Sequence, residues 1–365
     1  TTGQAGAAST GGALLTPAFA VTVAFTDTIA RIGLDDAGST LVAPSGNVSV
    51  RADHTGMATT TADADVSGNV AAGVTIGVGV IDEDVTATTE RAIDAGGNVT
   101  LEAKSVSDSR TEAMSSATGA PASADDPGTT FNDVLAFFGR DARIPEVITL
   151  IDVTIPVIVA EIEYGIDLQT LSAAAGIGVN VHLSDVTAAV VDDGSGLVPD
   201  VTAGGTLEIK TRTDIDTTAD VDASATSDGS AASAAFAVNY NDLDSRAAVE
   251  SNAEVEANDI AISSDTLAGQ RHLHTVSAKG GADSDSVGVD GSIAVNVVTM
   301  NTEAVMAAGS SAASMTDIEL KARNNVGTNT NAGIDAGGVE AAGGLALSLS
   351  GVSTTTRAFM ESGAA

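Results

Sequence analysis

One short phrase recurs along the chain and limits what it can fold into. Its clearest form is Ser292-Ile293-Ala294-Val295-Asn296-Val297, then Asn301-Thr302-Glu303-Ala304-Val305, a Gly/Ser/Ala-rich turn, and Asp317-Ile318-Glu319-Leu320-Lys321-Ala322. The first and third parts alternate apolar with small or polar residues, the period of a half-buried strand, and no helical spacing lies between them. The opening part returns as Ala20-Val21-Thr22-Val23-Ala24-Phe25, Val74-Thr75-Ile76-Gly77-Val78, Gly176-Ile177-Gly178-Val179-Asn180-Val181, Ala235-Phe236-Ala237-Val238-Asn239-Tyr240 and Leu345-Ala346-Leu347-Ser348-Leu349. The third returns at Gly46–Ala52, Gly96–Ala103, Gly204–Lys210 and Asn258–Ile262. Val179, Val238 and Val295 stand roughly 60 residues apart, a spacing that signals an array of stacked units.

Such a unit stacks because each coil leaves unpaired backbone groups on both edges, and another coil about 4.8 Å away satisfies them while extending the core. The expectation is a continuous column of inward-pointing valines and isoleucines with acidic rungs outside. Gly96-Gly97-Asn98 and Gly204-Gly205 are expected at corners that need a positive φ. Asn180, Asn239 and Asn296 hold one slot in three units, so stacking predicts an amide ladder. A string of immunoglobulin-like sandwiches needs about 100 residues per domain and a core Trp, which this period and composition do not supply.

Composition agrees with a thin core. Aromatic residues make up 2% of the 365 and there is no Trp, so Val, Ile, Leu and Ala must fill the interior. Lys and Arg number 15 against 49 Asp and Glu, a formal charge of −34. That argues against nucleic acid and anionic lipid as partners, and makes divalent cations natural counterions. With no cysteine, disulfides, thiolate zinc sites and a cysteine nucleophile are excluded. The first residues lack the features of a signal peptide, and the chain starts and stops inside its repeat pattern, as a segment of something longer would.

Repeats are expected over 1–119 and again over 172–365. Polar stretches rich in Ser, Thr and Asp follow the third parts, at His54–Ser67, Ser105–Gly119, Thr211–Ser227 and Asn324–Asp335. Alternation persists in Asp214-Ile215-Asp216 and Ala219-Asp220-Val221-Asp222, which reads as strand with an acidic outer face. Asp214, Asp216, Asp220 and Asp222 are therefore the candidate Ca²⁺ ligands. Residues 120–171 break the pattern, with four of the chain's seven prolines and three of its seven phenylalanines. A short helix is expected over Phe131–Phe138, and Glu146–Leu171 is strongly apolar. Asp152 and Pro156 interrupt that run, which is shorter than the about 20 apolar residues a membrane span takes. This insertion either covers the side of the solenoid or offers Phe131, Phe137, Phe138, Ile148, Ile151, Ile155, Val157 and Ile158 as a patch for another subunit or a filament neighbour.

The AVNV-type strand, the Thr-x-Ala strand and the Ala95-Gly96-Gly97-Asn98-Val99-Thr100-Leu101-Glu102-Ala103 strand together resemble the passenger regions of large filamentous bacterial adhesins, secreted by a two-partner or autotransporter route. The resemblance covers nearly all of the chain outside 120–171. It implies an all-β, right-handed parallel β-helix, located outside the cell or on its surface. It also implies a stalk or filament role in attachment to a host-cell or glycan receptor.

Candidate chemistry is sparse. His272 and His274 share a strand face, as half of a metal site or, more simply, a surface pair; His54 and His182 read as lone structural or exposed residues. Asp35-Asp36 and Asp192-Asp193-Gly194 read as acidic turns rather than a carboxylate pair for glycoside hydrolysis. Asn47-Val48-Ser49 and Asn98-Val99-Thr100 read as corner plus strand rather than glycosylation sites. The residues carry no GxSxG, P-loop, HExxH, EF-hand or Gly-Gly-x-Gly-x-Asp pattern. The expectation is a structural, adhesive protein with no enzyme activity. The alternatives are a polysaccharide-active β-helix or phage tailspike, and a Ca²⁺- or ice-binding solenoid.

Overall fold

The computed structural model describes residues 1–8, 13–33, 40–119, 171–192 and 200–365. The strands follow in chain order as successive coils. The first coil supplies β1 (Thr2–Ala8) and β2 (Ala13–Ile32). Next come β3 (Leu41–Ala43), β4 (Val48–Gly68) and β5 (Val70–Thr89), then β6 (Ile93–Ala95), β7 (Val99–Gly119) and β8 (Leu171–Val190). The fourth coil has β9 (Val201–Ser227) and β10 (Ser230–Val249), and the fifth β11 (Glu254–Thr266), β12 (His272–Ser284) and β13 (Val287–Met306). The last has β14 (Ser311–Ser314), β15 (Ile318–Arg323), β16 (Val326–Gly333), β17 (Ala336–Gly338) and β18 (Ala341–Met360). Among the described residues the chain is all-β and contains no helix. The short helix expected near Phe131, like the rest of 120–170, lies outside the described residues.

The strands form two sheets in which every pairing is parallel. One has six long strands in the order β18-β13-β10-β8-β5-β2; the other has twelve, several of them short pieces of a coil side. Strands of 20 residues reach about 66 Å at roughly 3.3 Å per residue, so each coil is a long, flat loop with two faces. The recurring phrase is thus regrouped. Its first two parts form one strand, β13, and its third part fuses with the polar stretch behind it to give β4 and β7. A short interruption in one phase of an alternation does not end a strand whose neighbours above and below continue. Equivalent residues stack in columns, such as Val21-Val78-Val179-Val238-Val295-Leu349. Strands flanking 120–170 pair directly, β5 with β8 and β7 with β9.

The interior holds two apolar clusters. One is built of larger residues, with Leu101, Leu207, Ile209, Ile260 and Ile262 of the split sheet against Val186, Val249 and Met300 of the six-stranded sheet. The other is built mostly of alanine, with Ala113, Ala219, Ala223 and Ala278 facing Ala174, Ala235, Ala237 and Ala294. The expected inward column of valines is reversed in the repeated phrase. Ala294, Asn296 and Val298 point inward, while Ile293, Val295 and Val297 point out. Small residues are what the narrow space between the sheets accepts, and the bulkier members of the alternation take the open face.

The glycine corners have a different cause from the one expected. Positive φ occurs at Asn252, Gly269, Gly309 and Gly363, not at Gly96, Gly97, Gly204 or Gly205. These four are glycine because the coils approach so closely. A Cβ on Gly96 would lie 2.0 Å from the Pro44 carbonyl oxygen, and one on Gly204 would lie 2.5 Å from that of Gly96. Asn47 and Asn98 fasten the same corners by accepting from the backbone of the next coil, Asn98 N–H at 2.8 Å and Thr206 N–H at 3.0 Å.

Candidate functional site

Between the two apolar clusters runs a polar layer, and it collects all four histidines of the chain. The inward positions of β8, Asn180, His182 and Ser184, face Ser105, Ser107 and Ser109 of β7 across the coil. The asparagine ladder is present. The Asn180 side-chain N–H donates to Asn239 Oδ1 at 3.0 Å, Asn239 to Asn296 Oδ1 at 3.4 Å, and Asn296 to the His274 carbonyl at 3.0 Å. Steps of 59 and 57 residues separate the three asparagines. Each amide is fully buried, so an unmade bond would cost about 1–3 kcal/mol and the ladder fixes the register of the coils.

At the centre of the layer is Glu83, 2% exposed and inward-facing on β5. Its carboxylate accepts from the hydroxyl of Ser105 at 3.1 Å and from that of Ser107. His54 Nε2 lies 3.4 Å from one oxygen and His182 Nε2 lies 3.6 Å from the other. Neighbouring bonds orient the His182 ring. Asn180 donates to Ser109 Oγ at 2.9 Å, and the same hydroxyl lies 3.2 Å from His182 Nδ1, holding the ring with Nε2 toward Glu83. Burial works to raise the Glu83 pKa, but hydrogen bonding and charge from His182, then the Ser107 hydroxyl and the charge of His54, outweigh it and hold it below 4.5.

His272 and His274 are 1% exposed, not a surface pair. Their rings stack at 6.5 Å between centroids. The Ile215 N–H donates to His272 Nδ1 at 3.0 Å, and Thr217 Oγ1 lies 2.8 Å from His274 Nδ1. The same Thr217 hydroxyl accepts from the Asn239 amide at 2.7 Å, which ties His274 to the asparagine ladder. His54 and His182, expected as lone residues, join through Glu83. A second inward carboxylate, Asp290 on β13, accepts from the Ser233 hydroxyl at 2.6 Å and the Asp335 N–H at 2.8 Å, and burial raises its pKa.

The outer faces carry two unlike charge ladders. On the split sheet Arg51, Glu102 and Lys210 stack in register, with contacts of 3.5 and 3.6 Å. On the six-stranded sheet Asp27, Asp84, Asp185 and Asp244 stack in register, followed by Asn301. The Asp185 pKa is raised by burial and by the charges of Asp84 and Asp244, against hydrogen bonding from Thr187 and the charge of Arg246. Asp214, Asp216, Asp220 and Asp222 lie on the outer face of β9, as expected. They follow one another along a strand instead of converging. Burial raises Asp214 and Asp216, helped by the charges of Asp216 and Asp108 respectively. Among the described residues no group of three or more His, Asp or Glu could hold a metal ion.

An apolar surface exists on the outer face of the six-stranded sheet. Its columns run from Phe19, Val21 and Val23 on β2 to Leu347 and Leu349 on β18. Val21 is 54% exposed and Val179, in the centre of the sheet, 5%. The patch expected at Phe131, Phe137, Phe138, Ile148, Ile151, Ile155, Val157 and Ile158 lies outside the described residues, as do Asp35, Asp36 and Asp193. No protein-family model, curated protein or solved structure matches the chain.

Proposed function

We propose that the chain is a structural, adhesive segment of an extended secreted or cell-surface protein, wound as a right-handed parallel β-helix and working as a stalk or filament. The observation that carries this reading is the axial continuity of the stack. Every long strand of the six-stranded sheet pairs in register with the next over almost its full length. A row of coils joined this way transmits force along one direction and adds reach with each coil. The acidic outside keeps such rods soluble and apart. Its partners would be a host-cell or glycan receptor and, laterally, other copies.

Beads coated with the chain are expected to hold cells or immobilised glycans against flow and to leave polysaccharides intact. Release of new reducing ends from a polysaccharide panel would replace this reading with that of a carbohydrate-active solenoid.

A further inference from the structure

The four histidines of the polar layer fall into two environments. His54 and His182 flank Glu83, so a proton gained by either ring would sit 3.4 or 3.6 Å from a carboxylate oxygen. His272 and His274 have no such partner. Toward the preceding coil they meet Thr213, Ile215 and Thr217 of β9, with Asn239 of β10 next in the same network. None of these ionises. The titratable group facing them from β8 is another imidazole, His182. On the far side of β12, β16 contains no ionisable residue. The charged residues of the neighbouring strands, Asp214 and Asp216 on β9, Asp242 and Asp244 on β10 and Glu303 on β13, take outward positions, as does Lys279 on β12 itself. Arg271, just before β12, is exposed. Asp290, inward on β13, is already bonded to Ser233 and Asp335, six residues along the strand from Asn296.

We propose that the coil carrying β12 is an acid-sensitive seam: acidification opens it locally, while the coil around Glu83 stays closed. Local opening is open to a solenoid because each coil contacts only its neighbours. Burial holds the closed-state pKa of His272 at about 4, partly offset by the Ile215 N–H, and that of His274 at about 3, lowered further by the charges of His272 and His182; the ordinary value is 6.5. Above 6.5 neither the closed nor the opened form takes up protons, so the full stability of the seam is present. Between that value and about 4 the opened form binds protons that the closed form refuses, and stability is lost as pH falls. Two such rings raise the opening constant roughly tenfold to twentyfold at pH 6 and about a thousandfold at pH 5, relative to pH 8.

Hydrogen exchange of the intact chain at pH 8, 6 and 5, corrected for the intrinsic chemistry of exchange, tests this. Peptides from 272–284 should show the thousandfold rise by pH 5, and those from 70–89, which include Glu83, should change less than tenfold. His272→Asn with His274→Asn keeps an acceptor for the Ile215 N–H and an amide that can pair with the Thr217 hydroxyl in either direction but cannot titrate, so its 272–284 peptides should be insensitive to pH. A carbon NMR titration of the four imidazoles in the unsubstituted chain discriminates even if that variant does not fold. His272 and His274 should stay neutral in the closed form down to pH 5. Uptake of protons near pH 6.5 without opening, equal loss of protection in both regions, or an acid response retained by the double variant would each overturn the proposal.

Discussion

The larger-residue cluster and the polar layer are made by the same strands in the same coils, yet they hold the stack by opposite means. Around Leu207, Ile209 and Ile262 the contacts are non-directional, so a neighbour can settle into lost volume and the register of one coil on the next is weakly specified. Around Glu83 and Asn239 the contacts are directional hydrogen bonds, and a coil shifted by one residue would break several of them at once. The cluster supplies most of the burial, and the layer supplies the alignment.

Substitutions can break that contrast. Glu83→Ala should have the largest effect, a loss of about 4 kcal/mol in urea unfolding at neutral pH, because it removes the acceptor for Ser105 and Ser107 and the carboxylate facing two imidazoles. Ile262→Ala should cost about 3 kcal/mol by burial and cavity alone, with the pH dependence of unfolding unchanged. Asn239→Ala should cost about 2 kcal/mol, since it takes one hydrogen-bond partner each from Thr217, Asn180 and Asn296. If Asn239→Ala were as harmless as an exposed substitution, the layer would have no aligning role.

The outer ladders give the smallest effects and sharpen the same lesson at the surface. Asp185→Asn should stabilise by about 0.5 kcal/mol, because like charges face each other across neighbouring strands there. The raised Asp185 pKa sets the pH dependence. Its folded form favours the protonated carboxyl, a contribution fully present below the ordinary 3.8 and lost as pH rises through the raised value. The advantage of Asp185→Asn should therefore shrink on acidification. Added salt or Ca²⁺ should raise the melting temperature of the parent chain slightly, and that of Asp185→Asn less.

Much of this architecture can be read from the residues. The recurrence of Val179, Val238 and Val295 gives the coil, and the shared slot at Asn180, Asn239 and Asn296 gives the ladder. The direction of the alternation is harder. Both phases of Ser292–Val298 are apolar enough to face a core, and a period of two does not say which phase is inside. Glu83 is disguised by Asp82 and Asp84, whose outward positions make the triplet read as one acidic surface. The usable signal was the slot itself. Gly79 stacks on Asn180, and counting two and four residues on from that slot places His182 and Glu83 inside. Nothing comparable marks His272 and His274, because they lie on the opposite sheet and meet the layer only when the coil closes.

The asparagine ladder has a further consequence. Asn180 gives its proton to Asn239 in the next coil and Asn239 to Asn296 in the one after, while Asn296 turns to the His274 carbonyl within its own coil, so the row is a short file of aligned dipoles with unlike ends. The same slot holds Thr22 and Gly79 in the earlier coils and Ser350 in the last, so the file is enclosed in the middle of the stack and gives the coils there a sense along the axis. Direction is thereby written into the interior, where no surface substitution can erase it.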